Sequence, residues 1–109
     1  MINCSRKKRY ELLRKEAIYR GLYEHLKIGY IYEKERLVEM FEFFVEVVNT
    51  DYENYSPSGY YPSCDDFRVK IKTSKEIIDK YYPNALQEKL ETYIQNEEFE
   101  KCIKLNKYI

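Results

Sequence analysis

The stretch Glu33 to Val48 reads EKERLVEMFEFFVEVV, and two periodicities compete in it. Phe41, Phe43, Val45 and Val47 alternate as they would in a strand, whose side chains change face at every residue. Glu35, Glu39, Glu42 and Glu46 instead fall together on a 3.6-residue period. They leave a wide apolar arc of Leu37, Met40, Phe41, Phe44, Val45 and Val48. In a strand Phe44 would share the face of Glu42 and Glu46. The polar residues therefore decide for a helix, expected to be the most buried of the chain.

Upstream, Glu16, Arg20, Glu24 and Lys27 recur at helical spacing between Leu12 and Ile28, and Ile18, Tyr19, Leu22, Tyr23 and Leu26 occupy the other side. This is an amphipathic helix, with Gly29 as a plausible stop. The pairs Glu16–Arg20 and Arg20–Glu24 each add about 0.2–0.5 kcal/mol, too little to decide anything alone.

Downstream, NTDYENYSPSGYYPSCDD (Asn49 to Asp66) is a loop by composition. DFRVKIK (Asp66 to Lys72) then alternates Phe67, Val69 and Ile71 against Arg68, Lys70 and Lys72, the pattern of a half-buried strand. Its partner would be IGYIY (Ile28 to Tyr32); the other readings are extended chain without a partner, or a strand rather than a helix in the second half of Glu33 to Val48, over residues 40–48. Thr73 with Glu76 forms a capping box for a short helix ending near Tyr82, where Pro83 prevents easy continuation. Asn84 can cap the helix after it.

The tail, LQEKLETYIQNEEFEKCIKLNKYI (Leu86 to Ile109), carries two apolar groups: Leu90, Tyr93 and Ile94, then Phe99, Cys102, Ile103 and Leu105. One straight helix would set them on nearly opposite sides. A break at Gln95-Asn96 removes the conflict, since Asn is a good N-cap and Glu97 and Glu98 suit the positive end of a helix dipole. The result is an αα-hairpin.

These residues resemble the UVR motif of the excinuclease subunits UvrB and UvrC, found also in ClpC-type chaperones and the kinase activator McsA. The shared features are Leu86 and Leu90, the N-E-E-F-E turn at Asn96 to Glu100, Leu105 and Ile109. Tyr93 and Cys102-Ile103 stand where that family usually has small alanines, and Asn106-Lys107 replace its usual Arg-Asp. The resemblance implies a hairpin that pairs with a similar hairpin or a partner protein, with Phe99 and its leucines in the contact. It implies no nuclease, helicase or kinase activity, and the nucleotide loop GxxxxGK[ST] is absent. The larger residues at the alanine positions imply helices held further apart than the family's.

The 109 residues are enough for one modest core, so a single domain over 1–109 is expected, closed by the hairpin at 84–109. No apolar run approaches the roughly 18 residues of a membrane span, and MINCSRKKRY lacks the apolar core of a secretory signal. A cytoplasmic location without membrane contact is the expectation. Cys4, Cys64 and Cys102 are odd in number and widely spaced, which fits neither a disulfide framework nor a zinc site. Reduced thiols are the simplest reading.

Net charge is zero but unevenly laid out: residues 1–20 hold seven basic and two acidic side chains, and 21–66 hold three and ten. Such blocks steer charged partners. His25 is the single histidine, on an amphipathic helix without a triad companion, and Asp65-Asp66 are one adjacent pair on a loop, short of a metal site. Three glycines make no phosphate-cradling loop. No catalytic set, metal site or cofactor is expected.

The fold expected is mostly α: a small helical bundle with a C-terminal αα-hairpin, one short β-hairpin or strand pair as an open addition, and α+β as the alternative. The function expected is that of a non-enzymatic protein–protein interaction module, an adaptor or regulator. Its contact residues are Leu90, Tyr93, Phe99 and Ile103 on the hairpin and Tyr52, Tyr55, Tyr60 and Tyr61 in the tyrosine-rich loop. Tyrosines give contact area at low entropic cost, although the same rings could fold back over the core. The partner is another protein or a second copy of the hairpin. Two alternatives stay open. One is an immunity protein or phage-encoded inhibitor of a toxin or defence nuclease. The other is RNA or single-stranded DNA binding through Arg6, Lys7, Lys8, Arg9, Arg68 and Lys70, against which the zero net charge counts.

Overall fold

The computed structural model describes residues 6–49 and 64–109, the side chains at 6–9, 12, 13 and 64–66 excepted. Among the described residues are five helices and no strand: α1 (Arg6–Lys27), α2 (Lys34–Asn49), α3 (Cys64–Tyr81), α4 (Ala85–Gln95) and α5 (Phe99–Asn106). The protein is a small helical bundle that ends in a helical hairpin.

α2 is the central element. Leu37, Val38, Met40, Phe41, Phe43, Phe44, Val45 and Val47 are all buried on it, while Glu35, Glu39 and Glu46 stay in solvent. It packs against every other helix, most extensively α3. Phe44 ties three helices together: its ring meets Tyr23 of α1 edge-on at 6.0 Å and lies 5.9 Å from Phe67 of α3. Edge and tilted pairs of this kind add about 0.5–1.5 kcal/mol to area burial.

α1 contributes Leu22, Tyr23 and Leu26 to the core, and Glu16 pairs with Arg20 at 2.8 Å. Ile18, expected on the same apolar side, is exposed instead. The chain leaves α1 through Gly29, whose φ of 97° is a left-handed conformation that a Cβ disfavours. Tyr30 N–H then bonds back to His25 C=O at 3.0 Å, and Tyr82 O–H donates to Tyr32 C=O at 2.9 Å, fixing the α1–α2 connection against the end of α3.

The strand expected over Asp66 to Lys72 is corrected. Those residues belong to α3, which runs unbroken from Cys64 through Thr73, so Thr73–Glu76 lie inside a helix and Asp65-Asp66 in its first turns. Phe67, Lys70, Ile71, Ser74 and Ile78 are buried, at steps of three, one, three and four, the face of an α-helix. IGYIY accordingly has no strand partner. The physical reason is Lys70: it occupies a core-facing position and makes the helical stripe look like alternation. Its ammonium lies 5.6 Å from the Tyr23 ring centre and 5.2 Å from that of Phe67, a cation–π arrangement that lets the aliphatic stem be buried.

α3 ends at Tyr81, before Pro83. Asn84 stands at the α4 N-cap in a left-handed conformation, φ 73°; its carbonyl accepts from Glu88 N–H at 2.8 Å, and its side chain makes no capping bond.

Candidate protein-binding surface

The hairpin forms because α4 and α5 cannot continue through Asn96–Glu98. Asn96 was expected to cap α5; it caps the C-terminus of α4 instead, its N–H bonding to Thr92 C=O at 3.0 Å. Glu97 takes the left-handed conformation at φ 58°, Glu98 N–H reaches Tyr93 C=O at 2.8 Å, and Glu98 becomes the N-cap of α5. The break is where the apolar pattern required it, with Asn96 and Glu98 dividing the work assigned to Asn96 alone.

The four hairpin residues expected in a contact are divided by the fold. Leu90 and Tyr93 are buried in the common core, with Leu86 and Leu105. Phe99 and Ile103 point outward, 57% and 66% exposed, one helical turn apart on the same stripe of α5. Ile94, in the last turn of α4, is exposed as well. Its position on the apolar period beside Leu90 hid it, since periodicity does not distinguish core from contact surface. Ile103 therefore does not separate α4 from α5, whereas Cys102 is half-buried against the core.

Tyr93 anchors the hairpin to α2. Its hydroxyl donates to the Glu42 carboxylate, and Lys89 reaches the same side chain at 3.8 Å. The ammonium groups of Lys89 and Lys101 lie 5.1 and 5.6 Å from the Tyr93 ring centre. Burial, then the hydrogen bond to Glu42 and its negative charge, push the Tyr93 pKa well above the ordinary phenol value. Lys101 also bonds Glu98 at 3.0 Å, which raises its own pKa. Lys34 and Glu88, 3.4 Å apart, add a second tie between α2 and α4.

A groove of about 690 Å³ runs beside this anchor, with Glu39, Glu42 and Glu46 of α2 on one side and Lys15, Lys89, Lys101 and Lys104 around it. Tyr19 lines it too; burial and the nearby Glu39 raise its pKa. Three carboxylates face four ammonium groups there, and Lys89 already reaches Glu42, so charge of both signs lines the groove.

The remaining expected residues scatter. Tyr52, Tyr55, Tyr60 and Tyr61 lie outside the described residues. Arg6, Lys7, Lys8 and Arg9 occupy the first turns of α1, their side chains outside the description. Arg68 is exposed while Lys70 is buried, so the basic stripe drawn through them for phosphate contact is split. His25 accepts or donates a 2.6 Å hydrogen bond with the Tyr32 hydroxyl, according to its tautomer, and stacks on that ring beside Tyr30. Among the described residues no group of three or more His, Cys, Asp or Glu could hold a metal ion, and no helix is long and apolar enough to cross a membrane. No protein family, curated protein or solved structure matches the chain.

Proposed function

We propose that this chain is a small non-enzymatic protein–protein interaction module, an adaptor or regulator, that engages its partner through the outer face of the C-terminal hairpin. The observation that carries the reading is the exposure of Phe99 and Ile103 on a helix whose opposite side is fixed in the core by Leu105. Large apolar side chains at adjacent turns of one exposed stripe are what a helix-in-groove or helix-on-helix contact uses. The resemblance of Leu86 to Ile109 to the UVR hairpin supports the same reading, with Phe99 in the contact. Leu90 and Tyr93 then act indirectly, by holding the hairpin against α2. The tyrosine-rich segment with Tyr52, Tyr55, Tyr60 and Tyr61 is proposed as an additional contact.

The test is affinity capture of the tagged chain from its native lysate, with and without nuclease, alongside a Phe99→Ala/Ile103→Ala variant. The proposal expects a stoichiometric protein that survives nuclease and is lost with the variant. A partner indifferent to the variant removes the hairpin from the account. One released by nuclease turns it towards nucleic acid.

A further inference from the structure

On the side away from the core α1 presents a mixed face, in which the exposed Arg14 and Glu24 alternate with uncharged residues along one stripe. Tyr10, Ala17 and Gly21 follow one another at steps of seven and four, and Ile28 stands seven further on, just past the end of the helix. Those steps keep one face of an α-helix. All four are exposed, Tyr10 at 62% and Ile28 at 81%, and Ile18 flanks the stripe. A Cβ built on Gly21 meets nothing within 4 Å, so the middle of the stripe is open. The core uses the opposite side, through Leu22, Tyr23 and Leu26.

The stripe is self-complementary when reversed. Its small residues, Ala17 and Gly21, sit two positions either side of residue 19, and its large ones, Tyr10 and Ile28, nine positions either side. Two helices that cross closely diverge from the crossing point. Small residues in the centre permit the approach, and large ones at the ends fill the widening gap. Charge follows the same mirror: Arg14 lies five positions before residue 19 and Glu24 five after it, both exposed, with Glu24 also 3.6 Å from Lys27 of its own helix, an exposed pair that a second cation can share. An antiparallel copy sets each Arg14 level with the other copy's Glu24, whereas a parallel copy would set like charges side by side. We propose that two copies of this chain pair antiparallel through the outer face of α1, crossing at Ala17 and Gly21. One helix contact buries less than the roughly 800 Å² per partner of a standard interface, which makes this a weak, concentration-dependent dimer. It does not use the hairpin, so each dimer presents two copies of Phe99 and Ile103.

Sedimentation velocity on the full chain, from about 1 µM to about 1 mM, tests it. The expected result is a monomer–dimer equilibrium within that range. Gly21→Glu replaces the poorest helix former after proline at an open position, so the helix survives. It is expected to abolish the dimer while leaving the thermal midpoint unchanged or higher. Arg14→Glu and Glu24→Arg are each expected to weaken dimerisation about tenfold, and the double variant to restore it. A monomer at every concentration overturns the proposal, as does a dimer that Gly21→Glu leaves intact. A dimer dissolved only by Phe99→Asp/Ile103→Asp also overturns it, and assigns self-pairing to the hairpin instead.

Discussion

α2 and α5 are both amphipathic, yet they dispose of their apolar residues in opposite ways. Eight of the 16 residues of α2 are buried apolar side chains, and the helix packs against each of the other four while its glutamate side stays open to solvent. On α5 only Leu105 is buried, while Phe99 and Ile103 face solvent. α2 buries its apolar residues because it is central; α5 lies at the edge and has one inward side to offer. The difference shows that apolar periodicity measures how much surface a helix can bury, and the position of the helix decides whether its own chain buries it. What is left over on α5 is available to another molecule.

The largest effect expected on the α2 side is that of Phe44→Ala. It removes a fully buried ring that meets Tyr23 and Phe67, and should cost about 3–5 kcal/mol in urea unfolding. A loss near that of a surface residue would mean that α2 is less central than described. Gly29→Ala should cost about 1–2 kcal/mol, because the left-handed backbone penalises a Cβ although no neighbour obstructs it.

Tyr93→Phe should cost about 1 kcal/mol by removing the hydrogen bond to Glu42 that fastens the hairpin to α2. It has a pH signature. The folded pKa of Tyr93 is raised above its unfolded value of 10.0, so its contribution is fully present below about pH 10 and is lost as pH rises from there towards the folded pKa. In that window the unfolded chain releases the phenol proton while the folded chain keeps it. The wild type should therefore lose stability in alkali more steeply than Tyr93→Phe, and parallel curves would remove Tyr93 as the anchor. Smaller still is Ser74→Ala. Ser74 Oγ is buried with no hydrogen-bond partner among the described residues, so its removal should leave stability unchanged or raise it by up to about 1 kcal/mol. A clear loss would show that the hydroxyl has a partner.

Much of this architecture is legible in the residues. The glutamates of Glu33–Val48 decide for α2, and the two apolar groups of the tail demand the hairpin break, because each pattern has only one helical solution. Asp66–Lys72 misleads for an equally physical reason. A lysine whose stem is buried and whose ammonium rests on two rings is indistinguishable in sequence from one in water, so Lys70 masks the helical face that Phe67, Ile71, Ser74 and Ile78 share. The direction of Phe99 and Ile103 is a matter of tertiary position and has no local signal, as Ile18 on α1 also illustrates.

The most direct test of the contrast between α2 and α5 is to measure folding and binding in a single variant, Phe99→Asp/Ile103→Asp. The account predicts an unfolding free energy, from urea titration, within about 0.5 kcal/mol of wild type, as for exposed positions, together with loss of the captured protein partner. A drop in stability of the size expected for Phe44→Ala, or a partner retained at wild-type yield, would contradict it.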